Sequence, residues 1–303
     1  MFKRIGLFLA VNILIIAAVS ILTSVLGLNG YMSANGLNYA SLAAICLIWG
    51  MVGSFISLLL SKMMAKWMMG VQIVTEDGPH RSLVQTVHRL ARKAGMTTMP
   101  EVGIYQSEDI NAFATGPSRR NSLVAVSTGL LSRMSDDEIE GVLAHEVAHI
   151  NNGDMVTMTL VQGVVNAFVM FLSRVVAFAI DQALRGNDEE GNGGGLGSIA
   201  YMFLVFFLDI FFGILAAPIV AWFSRYREYR ADAGGAELAG TPKMIAALES
   251  LQRAYPQLAE AKSEADPAFR SMQISSKRSV MALFSSHPPL EERISALKDR
   301  MSR

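Results

Sequence analysis

The chain has 303 residues, of which 51% are hydrophobic and 17% charged, with 26 basic residues against 26 acidic ones. A mean hydropathy of +0.35 is too high for an ordinary soluble domain and suits a membrane protein with a water-soluble part. Zero net charge gives no reason to expect a nucleic-acid partner, and the single cysteine, Cys46, leaves no disulfide framework.

Four apolar stretches follow in chain order, Ile5–Leu28, Leu37–Leu60, Met155–Ile180 and Ser198–Phe223. Each is about 24 residues, roughly 36 Å as helix, enough to cross a ~30 Å hydrocarbon core. The first is preceded by Lys3 and Arg4, as a signal peptide would be. Its apolar part is too long for one and leads directly into a second span, so it reads as a retained anchor. Basic residues lie before the first span (Lys3, Arg4), after the second (Lys62, Lys66) and after the fourth (Arg225, Arg227, Arg230), while the loop at 181–197 is mostly acidic and glycine-rich. That bias places both termini and the 62–154 segment in the cytoplasm. Trp67, with methionines at 63, 64, 68 and 69, reads as an interfacial anchor. Arg174 sits near a span end where it can snorkel; Asp209 is nearer mid-span and is expected to face the bundle interior.

The expected organisation is therefore a mostly α membrane protein with four transmembrane helices and a cytoplasmic α+β domain with a small sheet. Residues 1–61 hold two spans, and 62–154 the first part of the cytoplasmic domain. Residues 155–223 hold the second pair of spans with the exposed loop 181–197, and 224–303 the rest of the cytoplasmic domain. Each cytoplasmic block is small for an independent core, so the two are expected to pack together. Pro79–Ala94 reads as an amphipathic helix with Leu83, Val87 and Leu90 on one side, and His80 and His88 as solvated histidines. Short β-type runs follow at Val102–Tyr105, Ala112–Thr115 and Leu123–Val126. Ser135 and Glu138 then form a capping-box pair that opens the next helix.

That helix carries His145-Glu146-Val147-Ala148-His149. Residues four apart share a helix face, so two imidazoles can grip one ion. Glu146, offset around the helix, can take a proton from the attacking water and pass it to the leaving amine. A catalytic zinc needs a third protein ligand. A third histidine six residues beyond the second is ruled out, because that position is Met155. Among carboxylates, Glu228 and Asp232 lie one turn apart on an expected helix, one able to bind metal and the other to hold a ligand histidine. Asp154 and Glu237 compete, and a salt bridge in this basic segment is the other role open to Glu228. His287, before Pro288-Pro289, reads on composition as a helix-entry residue with a capping role; with Arg293 it could alternatively stabilise an oxyanion. A purely structural zinc would call for four closed ligands, often cysteines, and the one cysteine lies in a span. A transport role for Arg174 and Asp209 would leave the zinc motif unexplained.

These residues resemble the HtpX family of bacterial membrane-bound zinc metalloproteases, related to the CAAX prenyl-protein endoproteases. The likeness covers nearly the whole chain: the paired N-terminal spans, Asn111-Ala112-Phe113-Ala114-Thr115-Gly116, Gly129-Leu130-Leu131 leading to the zinc motif, Glu228-x-x-x-Asp232, and His287-Pro288 with Arg293. The resemblance implies one zinc ion per chain, Glu228 as the third ligand, and Asp232, His287 and Arg293 as supporting groups. It implies that Asn111, Ala112, Phe113 and Ala114 form a strand beside the cleft that pairs with an extended substrate. It also implies an inner-membrane enzyme that cleaves misfolded or damaged membrane proteins under stress, in cooperation with other quality-control proteases. CAAX proteases have more spans than this chain, so prenyl-protein processing fits poorly.

Overall fold

The computed structural model describes residues 39–184, 195–265 and 287–302. Three helices in it are long and apolar enough to cross a membrane: α1 (Tyr39–Met68), α5 (Asp154–Leu184) and α6 (Ser198–Ala239). The first expected span, Ile5–Leu28, lies outside the described residues. The other three appear, each longer than its apolar stretch. The longest, α6, runs for 42 residues with Pro218 inside it, and continues past the apolar part to carry Glu228 and Asp232.

Between α1 and α5 the chain forms β1 (Gln72–Val74), α2 (Arg81–Lys93), β2 (Glu101–Tyr105), β3 (Ala112–Ser118), β4 (Asn121–Ser127), α3 (Thr128–Arg133) and α4 (Asp136–Asn152). After α6 come α7 (Thr241–Ala265) and α8 (Leu290–Met301). The mixed sheet has the order β1-β2-β4-β3, with β2 parallel to β4 and the other pairs antiparallel. Strand β1 was not expected from sequence, being only three residues long. Strand β3 is an edge strand, bonded to β4 in the register Ala112↔Val126 and Ala114↔Val124. The register shifts between Thr115 and Ser118, where Gly116 takes φ +135°, a conformation that side chains disfavour.

The chain divides into two compact units. One comprises Met1–Phe55 with Leu160–Pro218. Within it, Gly50 and Gly163 let two helices touch at backbone distance: a Cβ on Gly50 would lie 2.7 Å from the Ala167 nitrogen. Small residues at such crossings are how helices approach closely in lipid, where burial alone drives no association. Cys46 is buried with Leu42 and Met170. Asp209 is buried, with Arg174 3.7 Å away, as expected for a span residue turned inward. Asp181 departs from the loop reading: it belongs to α5, is buried, and its Oδ1 accepts the Leu196 N–H at 2.8 Å.

The other unit comprises Ile56–Thr159 with Ile219–Arg303. Its core shows why the strands read as they do. Val124 and Val126 face a cluster with Leu83, Val87 and Leu90 of α2 and Leu143, Val147 and Ile150 of α4. The alternate residues Leu123 and Ala125 pack on the opposite face with Val71 and Tyr105. The period-2 pattern thus serves two apolar faces rather than one. His88 corrects the expectation of a solvated histidine. It is half-buried, with Nδ1 3.0 Å from Glu76 and Nε2 3.3 Å from the Pro100 carbonyl, whereas His80 is exposed.

Candidate metal centre

Helix α4 begins where the capping box requires. The Glu138 N–H donates to Ser135 Oγ at 3.4 Å, and the Ser135 N–H donates back to the Glu138 carboxylate at 2.9 Å. It ends at Gly153, whose φ of +70° supplies the left-handed cap. The helix packs on α2, α7 and β3. Gly141 permits the contact with α7, since a Cβ there would lie 2.4 Å from the Lys243 carbonyl oxygen.

His145 and His149 project from one face of α4, their Nε2 atoms 3.1 Å apart. Glu228, delivered by α6, points its carboxylate between them, 3.4 Å from His145 Nε2 and 3.3 Å from His149 Nε2. One ligand atom from each of the three residues falls within 4.8 Å of the others, and all three residues are buried. The remaining histidine nitrogens are taken. Asp154, at the start of α5, lies 2.6 Å from His149 Nδ1, and Asp232 lies 2.9 Å from His145 Nδ1. With both Nδ1–H groups donated to carboxylates, both Nε2 lone pairs are left for a cation.

Helix α8 packs on α7 and brings Arg293 into the site. Its Nε and one Nη donate to the two Asp232 oxygens at 2.7 and 2.6 Å, and its other Nη lies 3.6 Å from Glu228 Oε2. His287 Nδ1 lies 2.8 Å from the same Glu228 oxygen, although the imidazole is largely exposed. This corrects the capping role that composition suggested for His287. The cap position of α8 is Pro289, with no side-chain capping hydrogen bond.

The electrostatics are those of a site short of positive charge. Burial opposes a charge on His145, but hydrogen bonds to Asp232 and Glu228 outweigh it and lift its pKa to about 9. For His149, burial and the neighbouring His145 lower the pKa, yet Asp154 and Glu228 leave it raised. Burial works against Arg293 as well, and Asp232 more than restores its charge. Glu228 Oε1 is buried without a hydrogen-bond partner. Two buried imidazoles presenting Nε2 and a buried carboxylate converging on one point are the donor set a divalent cation takes, so the residues fit a metal.

Of the sequence candidates, His145, His149, Glu228, Asp232, His287 and Arg293 come together. Glu146 is partly buried on the next position of α4. Asp154 and Glu237 do not join the cluster as ligands: Asp154 holds His149 from behind, and Glu237 is exposed. The backing role of Asp154 was missed; only its place directly after the Gly153 cap hinted that it could fold back onto the helix. Residues 111–114 fall at the edge of the sheet. The Asn111 N–H donates to Ser127 Oγ at 3.1 Å and its side-chain amide to the Tyr105 hydroxyl at 2.5 Å, which fixes where β3 begins.

A membrane-embedded chain with a paired-histidine helix, a carboxylate from a second helix and an adjacent edge strand defines a membrane metallopeptidase. The model of Peptidase family M48 matches residues 78–301, and the chain belongs to that family. It is 55% identical over 301 residues to Protease HtpX of Shewanella sp. (strain W3-18-1) and of Shewanella putrefaciens, covering 98% of this chain and 100% of theirs. Protease HtpX of Shewanella baltica (strain OS185) is 55% identical over 299 residues, 98% of this chain and 99% of that protein. The crystal structure of S. mikatae Ste24p shares the fold with a TM-score of 0.57 at 20% identity, covering 94% of this chain and 66% of that one. This chain thus spans just under two-thirds of that structure's length.

Proposed function

We propose that the chain is a zinc-dependent endopeptidase of the bacterial inner membrane that cleaves misfolded or damaged membrane proteins. The observation that carries the reading is the convergence of His145, His149 and Glu228, all buried, with one ligand atom from each within 4.8 Å of the others. These three residues would hold the zinc. When bound, the metal supplies a Lewis acid that polarises the scissile carbonyl and acidifies water. Glu146 takes the proton of the attacking water and returns it to the leaving amine. Asp154 and Asp232 keep both histidines in the tautomer that offers Nε2. Arg293, anchored on Asp232, and His287 stand beside Glu228 and offer positive or donor groups to negative charge developing on the substrate oxygen.

Strand β3 supports peptide binding in extended form. It is bonded to β4 on one side only, and the motif helix packs against it, so the backbone of Ala112–Ala114 can add a substrate strand. Two features favour membrane proteins as substrates: the apolar helices and the start of α5 at Asp154 directly after the motif helix. The basic residues at the C-terminal end of α1 (Lys62, Lys66) and after the apolar part of α6 favour cytoplasmic placement of the site and both termini. A role beside other quality-control proteases belongs to the same reading.

The test is Glu146→Gln in the full-length protein in proteoliposomes. It should retain its zinc by elemental analysis while cleavage of a membrane-protein substrate falls by about 10²–10⁴-fold. Undiminished cleavage by that variant would sink the assigned mechanism.

A further inference from the structure

At its C-terminal end α1 presents two faces of different chemistry. Leu59, Met63 and Trp67, four residues apart, form an exposed apolar stripe, with Trp67 80% exposed. Lys62 and Lys66 stand beside that stripe. Together with Asn121 at the start of β4, these residues line an open groove of about 570 Å³. The lysines are held in place rather than trailing in solvent. Lys62 Nζ lies 2.8 Å from Glu101 and donates to Asn121 Oδ1 at 2.8 Å, and Lys66 Nζ lies 2.7 Å from the other Glu101 oxygen. One carboxylate faces two ammonium groups, so the groove keeps a net cation. The exposed Arg119 and Arg120, in the β3–β4 turn directly before Asn121, extend the positive surface.

We infer that this groove is a binding site for one anionic phospholipid, its phosphate held by Lys62, Lys66 and Asn121 and an acyl chain lying along Leu59, Met63 and Trp67. The groove is continuous with a helix long and apolar enough to cross a membrane, where lipid is the ligand always present at high concentration. The chemistry is that of the bilayer boundary: an apolar stripe for hydrocarbon, an indole at headgroup level, and fixed ammonium groups where phosphate lies. A peptide occupant would leave the lysine pair facing amides and the stripe half-filled. Asn121 opens β4, the hairpin partner of β3, so the bound headgroup lies at the turn end of the hairpin whose other strand is proposed to receive the substrate. The inference stands on the membrane placement of α1 and is independent of the metal chemistry.

Trp67 is a native probe. The full-length chain carrying Trp49→Phe and Trp222→Phe leaves Trp67 as its one tryptophan. It is placed in vesicles of equal phosphatidylglycerol and phosphatidylcholine, with brominated acyl chains on one lipid or the other. Brominated phosphatidylglycerol should quench Trp67 more strongly, corresponding to a local enrichment of about fivefold, the worth of one net cation at the surface. Lys62→Gln with Lys66→Gln should bring the two lipids to parity. Glu101→Gln, which removes the competing carboxylate, should increase the enrichment, and it decides the matter if the lysine variant fails to insert. Equal quenching in the parent chain, an undiminished preference in the lysine variant, or no increase with Glu101→Gln overturns the assignment.

Discussion

Replacing Asp154 by Asn removes one negative charge and leaves the shape of the site intact. Asp154 is 2% exposed, and its oxygen lies 2.6 Å from His149 Nδ1. The amide oxygen of Asn can still accept the Nδ1–H, so His149 keeps its orientation but loses the carboxylate that makes Nε2 a stronger donor. Loss of such a partner costs about 10–100-fold in metal affinity, or roughly 1.4–2.7 kcal/mol. The assay is competition for zinc between a chelator of known affinity and the full-length protein in detergent. Asp232→Asn serves as the contrast, because Asp232 also takes two hydrogen bonds from the buried Arg293. Leaving that guanidinium without its partner should cost about 3–5 kcal/mol of folding stability besides the loss of zinc affinity. A zinc affinity for Asp154→Asn within twofold of the parent would refute the claim that this carboxylate supports the ligand.

Zinc binding should release protons. Metal-free His145 has a pKa raised to about 9 and is protonated at pH 7, whereas a ligand imidazole must be neutral. Calorimetry in buffers of different ionisation enthalpy should find about one proton or more released per zinc at pH 7; none would contradict the site electrostatics. In the metal-free protein the same shift works in the opposite sense: because the folded pKa lies above 6.5, His145 adds stability that is complete below pH 6.5 and lost as pH rises through about 9. Thermal unfolding of the metal-free protein across that range checks the direction. Gly141→Val should press against the α7 backbone at Lys243 and lower stability by about 1–3 kcal/mol, with unchanged melting the result against it.

Much of the site could be read locally. The i, i+4 spacing put His145 and His149 on one face, and Ser135 with Glu138 marked where their helix starts, because both depend only on residues within a turn or two. Apolar run length announced three of the helices, but not that α6 would continue as one helix through Glu228. The strands at 102–105, 112–115 and 123–126 were legible from their β-rich runs, yet their order was not. Nothing local says that β2 lies beside β4 and leaves β3 at the edge.

The third donor shows the limit most clearly. Spacing left Glu228, Asp232, Asp154 and Glu237 as competing carboxylates, and family resemblance favoured Glu228. Only the packed structure set Glu228 between the two Nε2 atoms, put Asp232 and Asp154 behind the rings, and left Glu237 in solvent. His287 shows the same limit, since its composition suggested a cap and its tertiary partner is Glu228. By itself the sequence determined a membrane chain with a capped helix bearing two histidines and a base. The tertiary structure decided which distant carboxylates meet them, because helix periodicity is set by near neighbours, whereas the meeting of α4, α6 and α8 is set by the packing of whole faces.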